Sequence, residues 1–229
     1  MHNNYLLRAT LVAILFSSPA ALSQTLEEVV VTAQIREQSL QDVPISVSAI
    51  DGEVIEDRSV DNLQSLSASV PNFYVAETQI DTSISIRGVR SGANKGFEQS
   101  VPLNFDGVTY PRSQLARTPL VDLERIEVLR GPQPTLFGKN AIGGVVSVTS
   151  AKPTEEFEGK FSTSHESEHD ESQSLLVLSG PLSETLLGRL TVSTREMDGW
   201  ITNERMKRLE PQRDETYVRG QLSWTGDND

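Results

Sequence analysis

From residue 154 onward, apolar and polar residues trade places at nearly every step. In Tyr217-Val-Arg-Gly-Gln-Leu-Ser-Trp224, one face carries Val218, Gly220, Leu222 and Trp224, and the other carries Tyr217, Arg219, Gln221 and Ser223. Across residues 186–196, Leu186, Gly188, Leu190 and Val192 oppose Leu187, Arg189, Thr191, Ser193 and Arg195. Successive side chains of a strand point to opposite faces, so the pattern predicts strands at 157–166, 173–181, 185–197 and 216–225. Apolar-out, polar-in alternation over about ten residues marks a transmembrane barrel, with Trp224 in an interfacial aromatic girdle. Soluble antiparallel sheets alternate as well, with the apolar face packed on a core. The connections favour the barrel: a tight turn around Leu182-Ser183-Glu184 is followed by a long link over 198–215. Outer-membrane barrels have short periplasmic turns and longer external loops.

Before Lys152-Pro153 the pattern differs: short hydrophobic strands alternate with Gly-, Pro- and Asn-rich turns. Residues 45–50 alternate as a strand. Asp51 and Ser59 are candidate N-caps of two short helices, the second presenting Val60, Leu63 and Leu66 on one face. Val70-Pro71-Asn72 stops that helix, because proline disfavours helix at the residue before it. Further strands are expected at 73–76, 83–89, 101–110, 125–130 and 144–149, and Thr118-Pro119 reads as a cap followed by Pro at N1 of a single helical turn. The fold class is a small α+β domain with a mixed sheet, followed by the first antiparallel strands of an incomplete transmembrane β-barrel.

The N-terminus stands apart from both. A short polar and basic start ending at Arg8 leads into Ala9-Thr-Leu-Val-Ala-Ile-Leu-Phe16, then Pro19 and the small-residue end Ala21-Leu22-Ser23. This fits a secretory signal peptide cleaved after Ser23, and the run is far short of the ~20 residues of a membrane helix. Zero cysteines remove disulfides and thiol chemistry, and the net charge of −12 argues against nucleic acid as a partner. The domain plan is a signal peptide at 1–23, a linker at 24–41, the α+β domain at 42–153 and about four barrel strands at 154–229.

Directly after the signal lies the β-branched, extended Thr25-Leu-Glu-Glu-Val-Val-Val-Thr-Ala33, bordered by polar residues 34–42. It is either an edge strand of the next domain or a segment that adds itself to a partner's sheet through main-chain hydrogen bonds. Glu27-Glu-Val-Val-Val-Thr-Ala33 resembles the TonB box of TonB-dependent outer-membrane receptors, and Asp42-Val-Pro-Ile-Ser-Val resembles the opening of their plug domain. The resemblance continues through Ile86-Arg87-Gly88, Asp106-Gly107-Val108 and Leu123-Glu-Arg-Ile-Glu-Val-Leu-Arg-Gly-Pro-Gln133 to Leu136-Phe-Gly-Lys-Asn-Ala-Ile-Gly-Gly144, in order. Pro134 departs from the small residue expected there.

Membership implies a large barrel closed by a plug, in the outer membrane, importing a scarce nutrient such as an iron chelate. It implies that Glu27, Glu28, Val29, Val30, Val31, Thr32 and Ala33 bind the C-terminal domain of TonB. It also implies that Arg87 and Arg130 pair with glutamates of the barrel wall, since buried charges are tolerable only when paired. Gly88, Gly107, Gly131, Gly138, Gly143 and Gly144 are the motif glycines. No catalytic residue and no cofactor is expected, and the partners are TonB, outer-membrane lipid and a small-molecule substrate. A soluble periplasmic binding or adaptor module is the rival reading. No separate signalling domain fits between Ser23 and Thr25, which argues against a transcription-signalling subtype.

Two patterns invite enzymatic readings. His165, Glu166 and His169 match H-E-x-x-H, which on a helix makes a zinc hydrolase site. In a strand, however, residues four apart are separated by roughly 13 Å. Gly131 to Gly138-Lys139 imitates a phosphate loop, but its spacing is wrong and Asn140 stands in place of Ser or Thr. Four strands are also fewer than the eight of the smallest single-chain barrels, so they are not expected to close a pore.

The signal peptide is directly testable. N-terminal sequencing of the exported protein should begin at Gln24 or within a few residues of it; a mature protein retaining Met1 would overturn both export and the family reading.

Overall fold

A computed structural model of the chain describes residues 30–31, 38–39, 43–77, 82–91, 98–168 and 170–226; the expected signal peptide lies outside them. Strands β1 (Val30–Val31) and β2 (Gln38–Ser39) pair antiparallel. The first unit then follows as β3 (Ser46–Asp51), α1 (Gly52–Asp57), α2 (Leu63–Ser67), β4 (Phe73–Glu77), β5 (Thr82–Ile86), β6 (Val89–Arg90), β7 (Leu103–Phe105) and β8 (Val108–Tyr110). A 3-10 helix at Ser113–Arg117 leads to β9 (Leu123–Arg130), the one-turn helix α3 (Pro134–Phe137) and β10 (Gly144–Ser150).

Strands β9 and β10 lie inside a five-stranded mixed sheet of order β3-β9-β10-β7-β8, in which only the β7–β10 pairing is parallel. Both are covered on two faces. One face presents Ile126, Val128, Val146 and Val148 to Ile55, Leu63, Leu66, Phe73 and Ile84 of the helices and of the small sheet β4-β5-β6. The other places Leu129 and Val145 against Val43, Phe137 and Ala141.

Local chemistry explains where the elements break. Residues 83–89 and 101–110, expected as single strands, are instead hairpins. Arg87 (φ 51°) and Gly88 (φ 81°) turn β5 into β6, and Asp106 (φ 49°) and Gly107 (φ 83°) turn β7 into β8. Positive φ at both central residues makes the two-residue turn whose twist matches the flanking strands, and Asp-Gly is among its preferred pairs.

Ser59 closes the first helix rather than opening the second. It sits at φ 50° while its own N–H bonds to the Glu56 carbonyl and that of Val60 to the Ile55 carbonyl, a Schellman ending. The second helix is opened by Asn62, which exchanges hydrogen bonds with Ser65 in a capping box. Val60 therefore lies ahead of that helix, though still buried. Pro119 likewise ends a helix instead of starting one: Thr118 is the extended C-cap of the 3-10 turn, as a residue before proline prefers. Pro134 occupies the first turn of α3, where its missing N–H costs nothing.

The second unit is an antiparallel meander of β11 (Glu158–Glu166), β12 (Glu171–Ser183), β13 (Leu186–Met197) and β16 (Arg213–Trp224). The long link between the last two is not a plain loop; it folds into a hairpin of β14 (Ile201–Asn203) and β15 (Arg208–Glu210). Among the described residues β11 and β16 each pair along one edge only, so the sheet is open.

Backbone conformation and close backbone contact coincide at Gly144. Its φ is +147°, and a Cβ there would lie 2.2 Å from the Leu129 carbonyl oxygen. Gly144→Ala should therefore destabilise the unit by about 2 kcal/mol or more, read as a lowered midpoint in denaturant titration of the chain in detergent. An unchanged midpoint would show that β9 and β10 do not pack at this distance.

Candidate functional site

The two units meet along the inner face of the meander, and this contact inverts the burial of an ordinary soluble sheet. Thr191 and Ser193 are buried on the side facing the first unit, while Phe161, Val218, Leu222 and Trp224 are 61–75% exposed. Strand β16 alternates half-buried and exposed along its entire length, with Tyr217, Arg219, Gln221 and Ser223 inward and Val218, Leu222 and Trp224 exposed. A soluble sandwich would bury the other face. An apolar band outside and a polar face inside is what a membrane wall shows to lipid and lumen.

Charge fixes the two units together. Asp122 immediately precedes β9, in the left-handed region at φ 54°, and is 6% exposed. Arg189 of β13 grips its carboxylate with a two-pronged fork, Nη2 to Oδ1 at 2.5 Å and Nε to Oδ2 at 3.0 Å. Thr191 donates its hydroxyl to Oδ2, and Arg219 of β16 donates to Oδ2 at 2.8 Å and to the Asp122 carbonyl at 2.5 Å. Beside them Val121 packs with Leu175, Val177 and Tyr217, which keeps water away. Burial works against the Asp122 charge, yet the bonds from Arg189 and Thr191 and the charges of Arg189 and Arg219 outweigh it and hold the carboxyl below its ordinary pKa.

Two further ties lie along the same contact. Arg195 of β13 sits between Asp61, at 2.5 Å, and Glu171 of β12, at 2.6 Å. Lys160 of β11 pairs with Glu56 of α1. In each tie the first unit supplies the acid and the strands supply the base. Among the described residues, this polarity is the reverse of the plug-arginine, wall-glutamate pairing implied by the resemblance.

The expected site residues are distributed as follows. Of the segment 27–33, only Val30 and Val31 are described, in β1; the remainder lies outside the described residues. Arg87 is exposed in its turn, and Arg130 ends β9, donating to Ser48 Oγ at 2.6 Å and to Ser46 Oγ at 3.4 Å. Burial and the neighbouring Arg87 charge lower the Arg130 pKa. Neither arginine makes an ion pair among the described residues. Gly88 and Gly107 form the hairpin turns, Gly131 follows β9, Gly138 caps α3, and Gly143 lies against Val89 and Val101 ahead of Gly144.

His165 and Glu166 end β11, a strand, where neighbouring side chains point to opposite faces. His165 bonds Ser172 at 3.0 Å, and His169 lies outside the described residues. No cluster able to hold a metal occurs among the described residues.

Asp122, Asp61, Arg189, Arg195 and Arg219 were not singled out by sequence reasoning. Their signal was present, since three arginines share the inward face with small hydroxyl residues, and a charge there needs a counter-charge facing it.

This arrangement, a plug-like α+β unit seated by ion pairs on the polar side of outward-apolar strands, defines the plug and wall of an outer-membrane receptor. Residues 39–145 match the TonB-dependent receptor plug domain. The iron-regulated outer membrane virulence protein of Vibrio cholerae is 33% identical over 189 residues, covering 77% of this chain and 28% of that protein. The pesticin receptor of Yersinia pestis is 30% identical over 162 residues, covering 69% of this chain and 24% of the relative. The crystal structure of the ferric yersiniabactin uptake receptor FyuA from Yersinia pestis superposes with a TM-score of 0.73 at 26% identity, over 80% of this chain and 29% of that one. The chain belongs to the TonB-dependent receptor family, a family of the cell outer membrane. It spans under a third of the length of these relatives.

Asp122→Ala should destabilise the contact by about 3 kcal/mol or more, because it leaves the buried Arg219 without its carboxylate and Arg189 with only the exposed Glu158 at 3.9 Å. The pH dependence has a definite sign. A folded pKa below the unfolded one gives stability that is complete above about pH 3.9 and lost only as pH falls through the lower folded value. Melting of the wild-type chain in detergent should therefore owe no loss to Asp122 between pH 7 and about pH 4.5. The Asp122→Ala chain melting like wild type at pH 7 would refute the pairing.

Proposed function

We propose that this chain is the N-terminal part of a receptor that takes up a scarce nutrient, an iron-siderophore-type chelate, across the outer membrane with energy delivered by TonB. The observation that carries the reading is the set of Arg189, Thr191, Arg195 and Arg219 of β13 and β16 turned inward onto Asp122 and Asp61 of the plug unit, with Leu222 and Trp224 exposed on the opposite face. The names of the relatives, an iron-regulated outer-membrane protein and a ferric yersiniabactin receptor, support iron chelate as the substrate class. In this reading residues 1–23 are the export signal, 24–41 the box and linker, 42–153 the plug and 154–229 the first wall strands. No bond of the substrate is made or broken, and no residue serves as a catalyst.

Residues 27–33 are the segment that TonB takes up as an added strand. Val30 and Val31 already pair in the extended form, with Gln38 and Ser39, so the backbone is held in the conformation that strand addition uses. Arg87 and Arg130 serve as further plug–wall pairing positions, facing glutamates of the wall.

Two measurements test this. Val30→Pro removes a backbone donor from the added strand and should weaken binding of a TonB C-terminal domain about tenfold in a titration; equal affinity would sink the box assignment. With the protein expressed from its own gene, uptake of radiolabelled ferric siderophore should depend on TonB and on iron limitation. Uptake of labelled cobalamin instead would leave the family intact and overturn the substrate class.

A further inference from the structure

The outward face of the meander is not evenly filled. A groove of about 570 Å³ crosses β12, β13 and β16 beside the tight turn between the first two, walled by Phe157, Leu178, Leu182, Leu190 and Leu222. That volume falls within the roughly 300–1,000 Å³ of small-molecule sites. Its floor is bare backbone: Gly180 stands directly opposite Gly188, and Gly220 opposite Leu190. The space a side chain would take is filled by Phe157 at Gly180 and by Leu182 at Gly188. At Gly220 it is empty, since a Cβ there would meet nothing within 4 Å. Gly220 has no positive φ either. Neither backbone conformation nor packing within the chain therefore calls for glycine at this place, in the interior of a strand that glycine weakens. A strand glycine of that kind marks the close approach of something from outside.

Two features say what approaches. The short turn sets this end of the wall at the periplasmic surface, where the leaflet is phospholipid, and the groove opens on the same face as the exposed Leu222 and Trp224. The rim beside it is acidic. Glu155 and Glu156 precede Phe157, Glu184 follows Leu182, all three are exposed, and no Lys or Arg occurs in 154–159 or 181–186. Those carboxylates repel an anionic headgroup and attract an ammonium. We propose that the groove holds an acyl chain of one periplasmic-leaflet phospholipid, whose ammonium headgroup lies against Glu156 and Glu184. The lipid is a bound component of the wall, distinct from the lipid that merely surrounds it. The inference rests on the reading that these strands form an outer-membrane wall with this face outward.

The receptor expressed from its own gene and purified in mild detergent should carry one retained phosphatidylethanolamine, read by native mass spectrometry. Gly220→Leu, whose Cβ meets no neighbour, fills the groove and should leave the protein without it. After delipidation, phosphatidylethanolamine should bind about fivefold more tightly than phosphatidylglycerol of the same chains, the size expected of exposed charge pairs. Glu156→Gln combined with Glu184→Gln should erase that preference, a readout that stands even where Gly220→Leu does not fold. Wild-type protein that retains no phospholipid, retains lipopolysaccharide instead, or binds phosphatidylglycerol equally well would overturn the proposal. So would a Gly220→Leu protein that keeps phosphatidylethanolamine as wild type does. A receptor that imports its chelate yet holds no lipid would count against the groove alone and leave the functional reading standing.

Discussion

A charged group taken out of water must meet a counter-charge, and the strands of this chain carry three arginines on a face that is not in water. Arg189, Arg195 and Arg219 have side chains only 11–13% exposed. Placed against lipid, or against an apolar core, they would make the fold untenable. The plug meets them with Asp122 and Asp61, both on segments flanking its elements rather than inside them. The register of the meander follows from the same demand. Arg189 and Arg219 reach a single carboxylate because β13 and β16 are adjacent, with Thr191 opposite Arg219.

The outward apolar surface is the other side of this constraint. Once the polar face is committed to the plug, alternation forces Leu190, Val218, Leu222 and Trp224 to the outside. In water such a face invites aggregation; in a bilayer it is the contact surface. The hydrophobic effect alone would choose the opposite arrangement, with the apolar face packed on the plug. Charge pairing with the plug inside, and lipid outside, together select the arrangement found.

Much of this was legible in the sequence. Period-two alternation located all four long strands. Composition and motif order were sufficient to name the family. The breaks were harder to read. Ile86-Arg-Gly-Val89 and Phe105-Asp-Gly-Val108 look like continuous strands until the paired positive φ values make them turns, and an Arg at such a position is not a strong turn signal. Ser59 was misplaced because serine favours N-caps, while here it adopts the left-handed conformation that closes a helix. The anchoring site was missed for a different reason. Its members lie 67 and 97 residues apart in the chain, and no local pattern links Asp122 to Arg189 or Arg219. Their meeting is a property of the packed units.

The central claim is the direction in which the strands face, and spin labelling reads it directly. In the chain reconstituted in lipid, single cysteines at Leu190 and Leu222 should give labels that collide with dissolved oxygen and are shielded from a water-soluble nickel chelate. Labels at their neighbours Thr191 and Gln221 should be immobilised and shielded from oxygen in the bilayer. The opposite pattern, or water exposure of both sets, would mean that the polar face is not seated on the plug, and the account would fail at its first step.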